Sequence, residues 1–300
     1  MIMRMNSRSS RLMLHVAGSI IVFSIMLSCT SPQQQAAEKE QKEIGLQLWS
    51  IRSDMKANPE ATLDSVGAMG YTFVEAAGYG DGKFYGMEPA NFKQLLVDKE
   101  LKMLSSHTGP HLPSEAEWDS VMAWWDQAIN DHIAVGVKYI VKPSMGKDAY
   151  ESLETLQKYC EYYNAIGEKC NEQGLKFGYH NHAHEFDTLE GEVMYDYMLQ
   201  NTDPEKVFYQ MDLYWVVEGG ADPIEYFEKY PGRFLLWHVK DEAEVGASGK
   251  MDFETIFQYT DQSGVEEIIV EVEDYNYTPI QSVKKSLEFL QEADYVPASY

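Results

Sequence analysis

Residues 175–186 read Leu175-Lys176-Phe177-Gly178-Tyr179-His180-Asn181-His182-Ala183-His184-Glu185-Phe186. The stretch follows Gly174, begins as a short β-prone run, and ends in three histidines and a carboxylate within six residues. In a strand, alternate side chains share a face, so His180 and His182 point one way while Tyr179 and Asn181 point the other. Two neutral imidazoles on one face are borderline ligands, suited to zinc, manganese, cobalt or iron. Such a run serves a core poorly and a metal well. Two imidazoles do not complete a site, so the rest of the chain is read for strand ends that supply further ligands.

Outward from this strand, one pattern repeats in both directions. From Glu43 onward a short apolar or β-branched run is followed by an amphipathic segment that closes on Gly or a polar turn, and eight such cycles can be counted. The predicted strands are 44–49, 73–76, 102–106, 139–142, 176–180, 207–211, 234–239 and 268–272. The predicted helices are 59–69, 89–99, 115–135, 152–173, 192–200, 223–229, 253–260 and 279–293. Several open on a proline in the first turn, and several end at Gly70, Gly136, Gly174 or Gly264. Strict alternation requires a parallel sheet with crossover helices. Eight units in one uninterrupted domain predict a single (β/α)8 TIM barrel over residues 43–295. An open doubly wound sheet is the competing architecture, but the first strand-to-helix turn, 50–58, has no glycine-rich phosphate loop.

The N-terminus reads differently. Arg4, Arg8 and Arg11 precede an apolar run from Leu12 to Leu27, the three-part pattern of a secretory signal, and the run is short for a spanning helix. Its ending, Met26-Leu27-Ser28-Cys29, resembles a bacterial lipoprotein cleavage box in which Cys29 becomes the acylated first residue. A plain membrane anchor or an ordinary signal peptide is the competing reading. Residues 1–28 are therefore expected to be a lipoprotein signal peptide, and 29–42 an acylated cysteine with a polar Gln, Ala, Glu and Lys tether. That places the domain in the cell envelope, as a periplasmic or outer-membrane lipoprotein touching the membrane only through its lipid.

Removing residues 1–28 takes away three arginines and leaves 21 basic against 48 acidic residues, a formal charge of −27. Such a surface repels nucleic acid. His180-Asn181-His182 therefore has no homing-nuclease context, and an abasic-site endonuclease reading meets the same objection. His182-Ala183-His184-Glu185 also lacks the His-Glu-x-x-His spacing of a helical metalloprotease site. Cys160 and Cys170, ten residues apart on one predicted helix, are expected to be buried thiols with no chemistry.

In such a barrel the site lies at the C-terminal ends of the strands. There the chain offers Glu75, His107, His180, His182, Glu185, Asp212, His238, Lys240, Glu271 and Glu273. Glu75, His107, Glu185 and Glu273 are candidate acids or bases, and Lys240 is a candidate for neutralising a developing oxyanion. Trp49, Tyr79, Trp215 and Trp237 are candidate apolar platforms for a ring-shaped ligand. Trp124 and Trp125 read as helix packing, and Lys142 before Pro143 as a barrel-rim ion pair.

Four motifs together carry a resemblance: Tyr179-His180-Asn181-His182 with Glu185-Phe186, Asp212 with Trp215 and Gly219-Gly220-Ala221-Asp222-Pro223, His238-Val239-Lys240-Asp241, and Val270-Glu271. In this order and spacing, over roughly residues 44–290, the chain resembles the sugar phosphate isomerase/epimerase family, which has the xylose isomerase-like barrel. The family commonly holds one divalent cation with Glu, Asp, His and Glu from strands five to eight. Carried over by position, the resemblance implies His180 in place of the first Glu, then Asp212, His238 and Glu271. His182 and Glu185 would lie beside the ion. The ion that the resemblance implies is one of Mn, Mg, Co or Zn.

A branch with the Tyr-His-Asn-His signature acts on 3-keto-glycosides, by moving a stereocentre beside the ketone or by eliminating the aglycone. The resemblance thus implies a metal-dependent isomerase, epimerase or lyase that removes a proton next to a ketone and passes through an ene-diolate. No phosphate loop or arginine cluster marks a phosphorylated substrate, and no dinucleotide fingerprint appears, so a separate sugar dehydrogenase is expected to supply the ketone. Barrels of this family often pair through their rim loops, so the resemblance also implies a homodimer. A non-catalytic sugar-binding lipoprotein and a metal-dependent hydrolase are the competing functions.

Overall fold

A computed structural model describes residues 41–300. The expected signal segment, Cys29 and the tether up to residue 40 lie outside the described residues. Eight parallel strands close into a barrel in chain order: β1 (Gly45–Gln47), β2 (Phe73–Ala76), β3 (Lys102–His107), β4 (Tyr139–Lys142), β5 (Lys176–His180), β6 (Val207–Asp212), β7 (Leu236–Val239) and β8 (Glu267–Val270). The (β/α)8 barrel expected from the alternation is thus the architecture observed. Prolines open the helices Pro59–Met69, Pro89–Asp98, Pro223–Lys229 and Pro279–Glu292, where the missing N–H costs no helical bond. The last of these adds a capping box between Thr278 and Gln281. No helix among the described residues is long and apolar enough to cross a membrane.

Each strand feeds two environments. Leu46, Val74, Ile140, Phe177, Tyr179, Tyr209, Met211 and Trp237 pack outward under the helices. Phe73, Tyr139, Val141, Phe208, Leu236 and Ile269 meet in a separate cluster inside the barrel. This floor is tight. A Cβ on Gly45 would lie 2.1 Å from the Phe73 ring, and one on Gly178 would lie 2.6 Å from the Phe208 ring. Glycine at both positions is what lets two phenylalanines fill the interior.

Two residues further along the same faces, the interior turns polar, with Gln47, Glu75 and Gln210 above Gly45, Phe73 and Phe208. The register of β3 against β2 shifts between Val74 and Glu75, whose partners are Met103 and Ser105. Leu104 is the extra residue. It packs against the interior cluster while the next residue, Ser105, donates to Glu75, so both face inward. Because strand faces alternate, that one-residue bulge is what turns His107 toward the axis.

Several expected boundaries move for local reasons. β1 ends at Gln47, not at residue 49, because the Gln47 side chain accepts the Trp49 N–H at 2.9 Å and starts a 3₁₀ turn, Leu48–Ile51. The tether expected through residue 42 ends earlier. Lys42 is buried, its Nζ donating to the carbonyls of Leu290 (2.8 Å) and Ala293. Nor does the fold stop at residue 295, since the Glu43 N–H donates to the Ala298 carbonyl at 2.8 Å and Val296 is buried. Cys160 and Cys170 are free, buried thiols whose pKa values burial pushes up to about 12.

Candidate metal centre and active site

His180 ends β5, Asp212 ends β6, His238 lies in β7, and Glu271 follows β8. All four are buried, and each offers a ligand atom within 4.8 Å of the others. His107, His180 and His238 form a second, overlapping group by the same measure. His238 joins the parts: its Nδ1 lies 3.2 Å from Glu271 Oε2 and 3.9 Å from Asp212 Oδ2, while its Nε2 lies 2.6 Å from Glu75 Oε1. Asp212 is held by its neighbours. Its Oδ1 accepts the Trp215 N–H at 2.9 Å, capping the helix Leu213–Glu218, and its own N–H donates to Asn181 Oδ1 at 3.0 Å.

Two buried atoms of this group, His180 Nδ1 and Asp212 Oδ2, have no hydrogen-bond partner among the described residues. Leaving a buried polar atom unpaired costs free energy, which a bound water, ligand or ion would relieve. Two imidazoles and two carboxylates from four successive strands, two of them with unclaimed atoms, fit a divalent cation.

The electrostatics follow from packing opposite charges out of water. Burial favours the neutral form of Glu75, but His107 and His238 outweigh it and hold this carboxyl well below the usual range. Burial likewise opposes a charge on His238, yet Glu271 and Glu75 raise its pKa to about 10. Burial pushes Asp212 up to about 7, against the pull of Lys240 and with the repulsion of Glu271. His180 is held well below its ordinary value, by burial first and then by His238, His182 and His107. His182 is also lowered, chiefly by burial. These imidazoles remain neutral and able to ligate or accept a proton.

A cavity of about 380 Å³ opens over this group, lined among others by Trp49, His107, His180, His182, Glu271 and Glu273. Not every expected residue reaches it. Glu75 lies beneath as a carboxylate with four hydrogen-bond donors, Gln47 Nε2 (2.6 Å), Ser105 Oγ, Gln210 Nε2 (2.8 Å) and His238 Nε2 (2.6 Å), and with His107 Nε2, itself hydrogen-bonded to Gln210 Oε1 at 2.6 Å, 3.1 Å away. Fully claimed and fully buried, it supports His238 and has no free lone pair for a substrate proton. Glu185 is committed as well. It accepts from the Tyr179 hydroxyl at 2.5 Å, the Tyr150 hydroxyl at 3.3 Å and the His182 N–H at 2.8 Å, and so fixes the turn that presents His182.

Lys240 stands behind the cavity wall, its Nζ against Glu273, 3.5 Å from Glu271 and 4.9 Å from the centre of the Trp215 ring. These carboxylates raise its pKa despite burial, so it stays a cation. Trp215 packs beside Lys240 and 6.0 Å from the His182 ring. Tyr79 does not face the site. It sits in a hairpin, Tyr79–Gly80 with Lys83–Phe84, its ring tilted against the His132 ring with centres 4.7 Å apart and its hydroxyl donating to Asp131 at 2.7 Å. Trp237 is on the outer face of β7, stacked on Phe227 at 5.0 Å, because it is one residue out of phase with His238. Lys142 makes no rim ion pair among the described residues. It is buried on the outer face of β4 and donates to the Gly109 carbonyl at 2.9 Å, and burial lowers its pKa to about 8. Gln47, Ser105, Gln210 and Asn181 are supporting residues that the sequence reading did not single out.

Comparison with known proteins agrees with this geometry. A family model described as the xylose isomerase-like TIM barrel matches residues 63–293. A crystal structure of a sugar phosphate isomerase/epimerase from Parabacteroides distasonis shares 34% identity and a TM-score of 0.80, covering 85% of this chain and 100% of its own. An inosose dehydratase from Lacticaseibacillus casei is 24% identical over 286 residues, covering 80% of this chain and 91% of its own. The IolI protein, crystallised with a zinc atom bound, shares the fold at 13% identity and a TM-score of 0.66, covering 86% of this chain and 99% of its own.

Proposed function

The chain belongs to the xylose isomerase-like TIM barrel family of sugar isomerases, epimerases and dehydratases, and on that premise we propose that it is a divalent-metal-dependent enzyme acting on a keto-sugar, specifically a 3-keto-glycoside. The observation that carries the reading is the pair of unpartnered buried atoms, His180 Nδ1 and Asp212 Oδ2, in a four-ligand group under a sugar-sized cavity. His180, Asp212, His238 and Glu271 would hold the ion. When bound, it supplies Lewis-acid polarisation of the ketone oxygen, which acidifies the neighbouring C–H.

The chain's own groups do the rest. His182 and Glu273 line the cavity from the ends of two different strands and are the proton-transfer pair. His182 is kept neutral by burial and can accept a proton, and Glu273 is a partly exposed carboxylate set by Lys240. One group removes the proton beside the ketone. The other returns it to give an epimer or isomer, or protonates the leaving group to give an elimination. The inosose dehydratase relatives, whose name denotes loss of water, favour elimination of the C1 substituent. Trp49 covers the sugar from the rim.

The test is proton exchange. The protein is mixed with methyl 3-keto-glucoside in heavy water, with manganese, zinc or a chelator, and the C2 and C4 protons are followed by NMR. Metal-dependent loss of one of these signals is expected, with Asp212→Ala and Glu271→Ala abolishing exchange and metal binding together. Sugar binding without exchange in any tube would replace this reading with a binding protein. The lipid anchor belongs to the same proposal: radiolabelled palmitate should enter the chain at Cys29 and not in Cys29→Ser.

A further inference from the structure

A second and larger cavity, about 670 Å³, adjoins the first and shares Trp49 and Ala77 with it. Its floor is apolar, from Leu48, Met55, Pro59 and Tyr85, and its rim carries Arg52 and Lys56. Among the described residues no carboxylate lines it, although the chain has 48 acidic residues against 24 basic ones. The groove is built rather than incidental. Gln47 links Trp49 to the site, accepting the Trp49 N–H at 2.9 Å and donating to Glu75 at 2.6 Å. Arg52 sits 4.9 Å from the centre of the Trp49 ring and donates to the Trp49 carbonyl and the Tyr275 hydroxyl. On the far side, Tyr85 adopts a positive φ of 50° and lays its ring on Gly78, where a Cβ would meet it at 2.4 Å. The Tyr85 hydroxyl is tied to the Ala77 N–H at 3.0 Å. Trp49 itself stays 44% exposed, as the wall between the two cavities.

Resting on the keto-glycoside reading, we propose that this groove binds the aglycone of the substrate, an aromatic ring bearing an acidic group, while the sugar occupies the smaller cavity. The size of the groove asks for more than one sugar ring, and its continuity across Trp49 makes the occupant part of the same molecule. Indole, tyrosine and thioether surfaces match a flat aromatic ring. Arg52 is engaged with Trp49, whereas Lys56 forms no hydrogen bond or ion pair among the described residues and is the cation left for an anionic substituent.

Titration calorimetry with methyl, phenyl and 4-carboxyphenyl β-glucosides and methyl cellobioside tests this. Phenyl glucoside is expected to bind about tenfold more tightly than methyl glucoside, and the carboxyphenyl compound more tightly again. Lys56→Gln should erase the carboxylate gain alone. Ser53→Trp, at an exposed position on the groove, should bring the phenyl-to-methyl ratio to about one, a stacking gain of this size being all that the ring contributes. Equal affinities, no binding by any glucoside, an aryl gain that survives Ser53→Trp, or a cellobioside that outbinds the phenyl glucoside would each overturn the proposal. Deuterium exchange with methyl 3-keto-glucoside on the same preparation separates the two ideas. Exchange with equal affinities removes only the groove, and aryl-selective binding without exchange supports the groove and removes the chemistry.

Discussion

Glu75 Oε1 lies 2.6 Å from His238 Nε2, while Glu271 and Asp212, two of the other proposed ligands, face Nδ1. A buried carboxylate on one ring nitrogen fixes the tautomer and makes the other nitrogen, Nδ1, the better ligand. Glu75→Gln keeps the volume but removes the charge and sets an amide against several donors. Metal affinity, measured by competition with a chromogenic chelator, should fall about 10- to 100-fold, the range for removing such a support. An unchanged affinity would mean that His238 is not a ligand.

Lys240 lies against Glu271 and Glu273, within the field of Asp212, and 4.9 Å from the centre of the Trp215 ring. Without a bound cation it is the main compensation for those buried negative charges, together with His238. Lys240→Met should therefore destabilise the metal-free protein by about 3 kcal/mol, the cost of leaving buried charge unpaired. Saturating metal should recover part of that loss, because ligands that bind only the folded state stabilise it. Thermal melts of both proteins with chelator and with manganese read the difference. Equal losses in the two conditions would detach Lys240 from the metal group.

Much of this arrangement is legible in the sequence, because a barrel strand has a period of two and its C-terminal end carries the site. His180, Asp212, His238 and Glu271 follow from that rule together with the resemblance. Trp237 is misread for want of the same rule, since a residue adjacent to an inward His238 must point outward. Gln210 was equally within reach, two residues before Asp212 on one face. The bulge at Leu104 is different. Nothing in Lys-Met-Leu-Ser-Ser-His marks where the extra residue falls, and only pairing with β2 decides that both Leu104 and Ser105 face inward. Tyr79 is lost to a contact from a distant residue, Asp131 on one helix, that no local pattern announces, whereas Glu185 is claimed mainly by its own neighbours, the Tyr179 hydroxyl and the His182 N–H, with Tyr150 added from afar.

His132 makes a prediction about acid stability. Its Nδ1 donates to the Ala128 carbonyl at 2.6 Å, its Nε2 is buried without a partner among the described residues, and Tyr79 and Phe84 pack against the ring. Burial lowers its pKa to about 4, below the unfolded value near 6.5. The folded state thus binds this proton less readily than the unfolded state, so the contribution is complete above pH 6.5 and is lost as pH falls toward 4. Between pH 7 and pH 5 the loss is about 2 kcal/mol. Urea denaturation across that range should show a shallower pH dependence in His132→Leu than in the wild type. Parallel curves would mean that His132 is solvated in the native protein.

The floor of the barrel offers the last test, on a position that carries no chemistry. A Cβ at Gly45 would come within 2.1 Å of the Phe73 ring, itself buried and packed among Tyr139, Phe208 and Ile269. The ring cannot yield without moving those neighbours, so Gly45→Ala should destabilise the fold by about 1–3 kcal/mol, as overpacking does. Phe73→Leu alone should also destabilise, through lost contact with the floor. The double variant should lose less than the two single losses added together, because leucine vacates the space that the new methyl needs. Denaturant melts of the four proteins make this cycle. Strict additivity would mean that the Gly45 and Phe73 sites do not touch, and the closed register that brings β1 beside β2 would then be wrong.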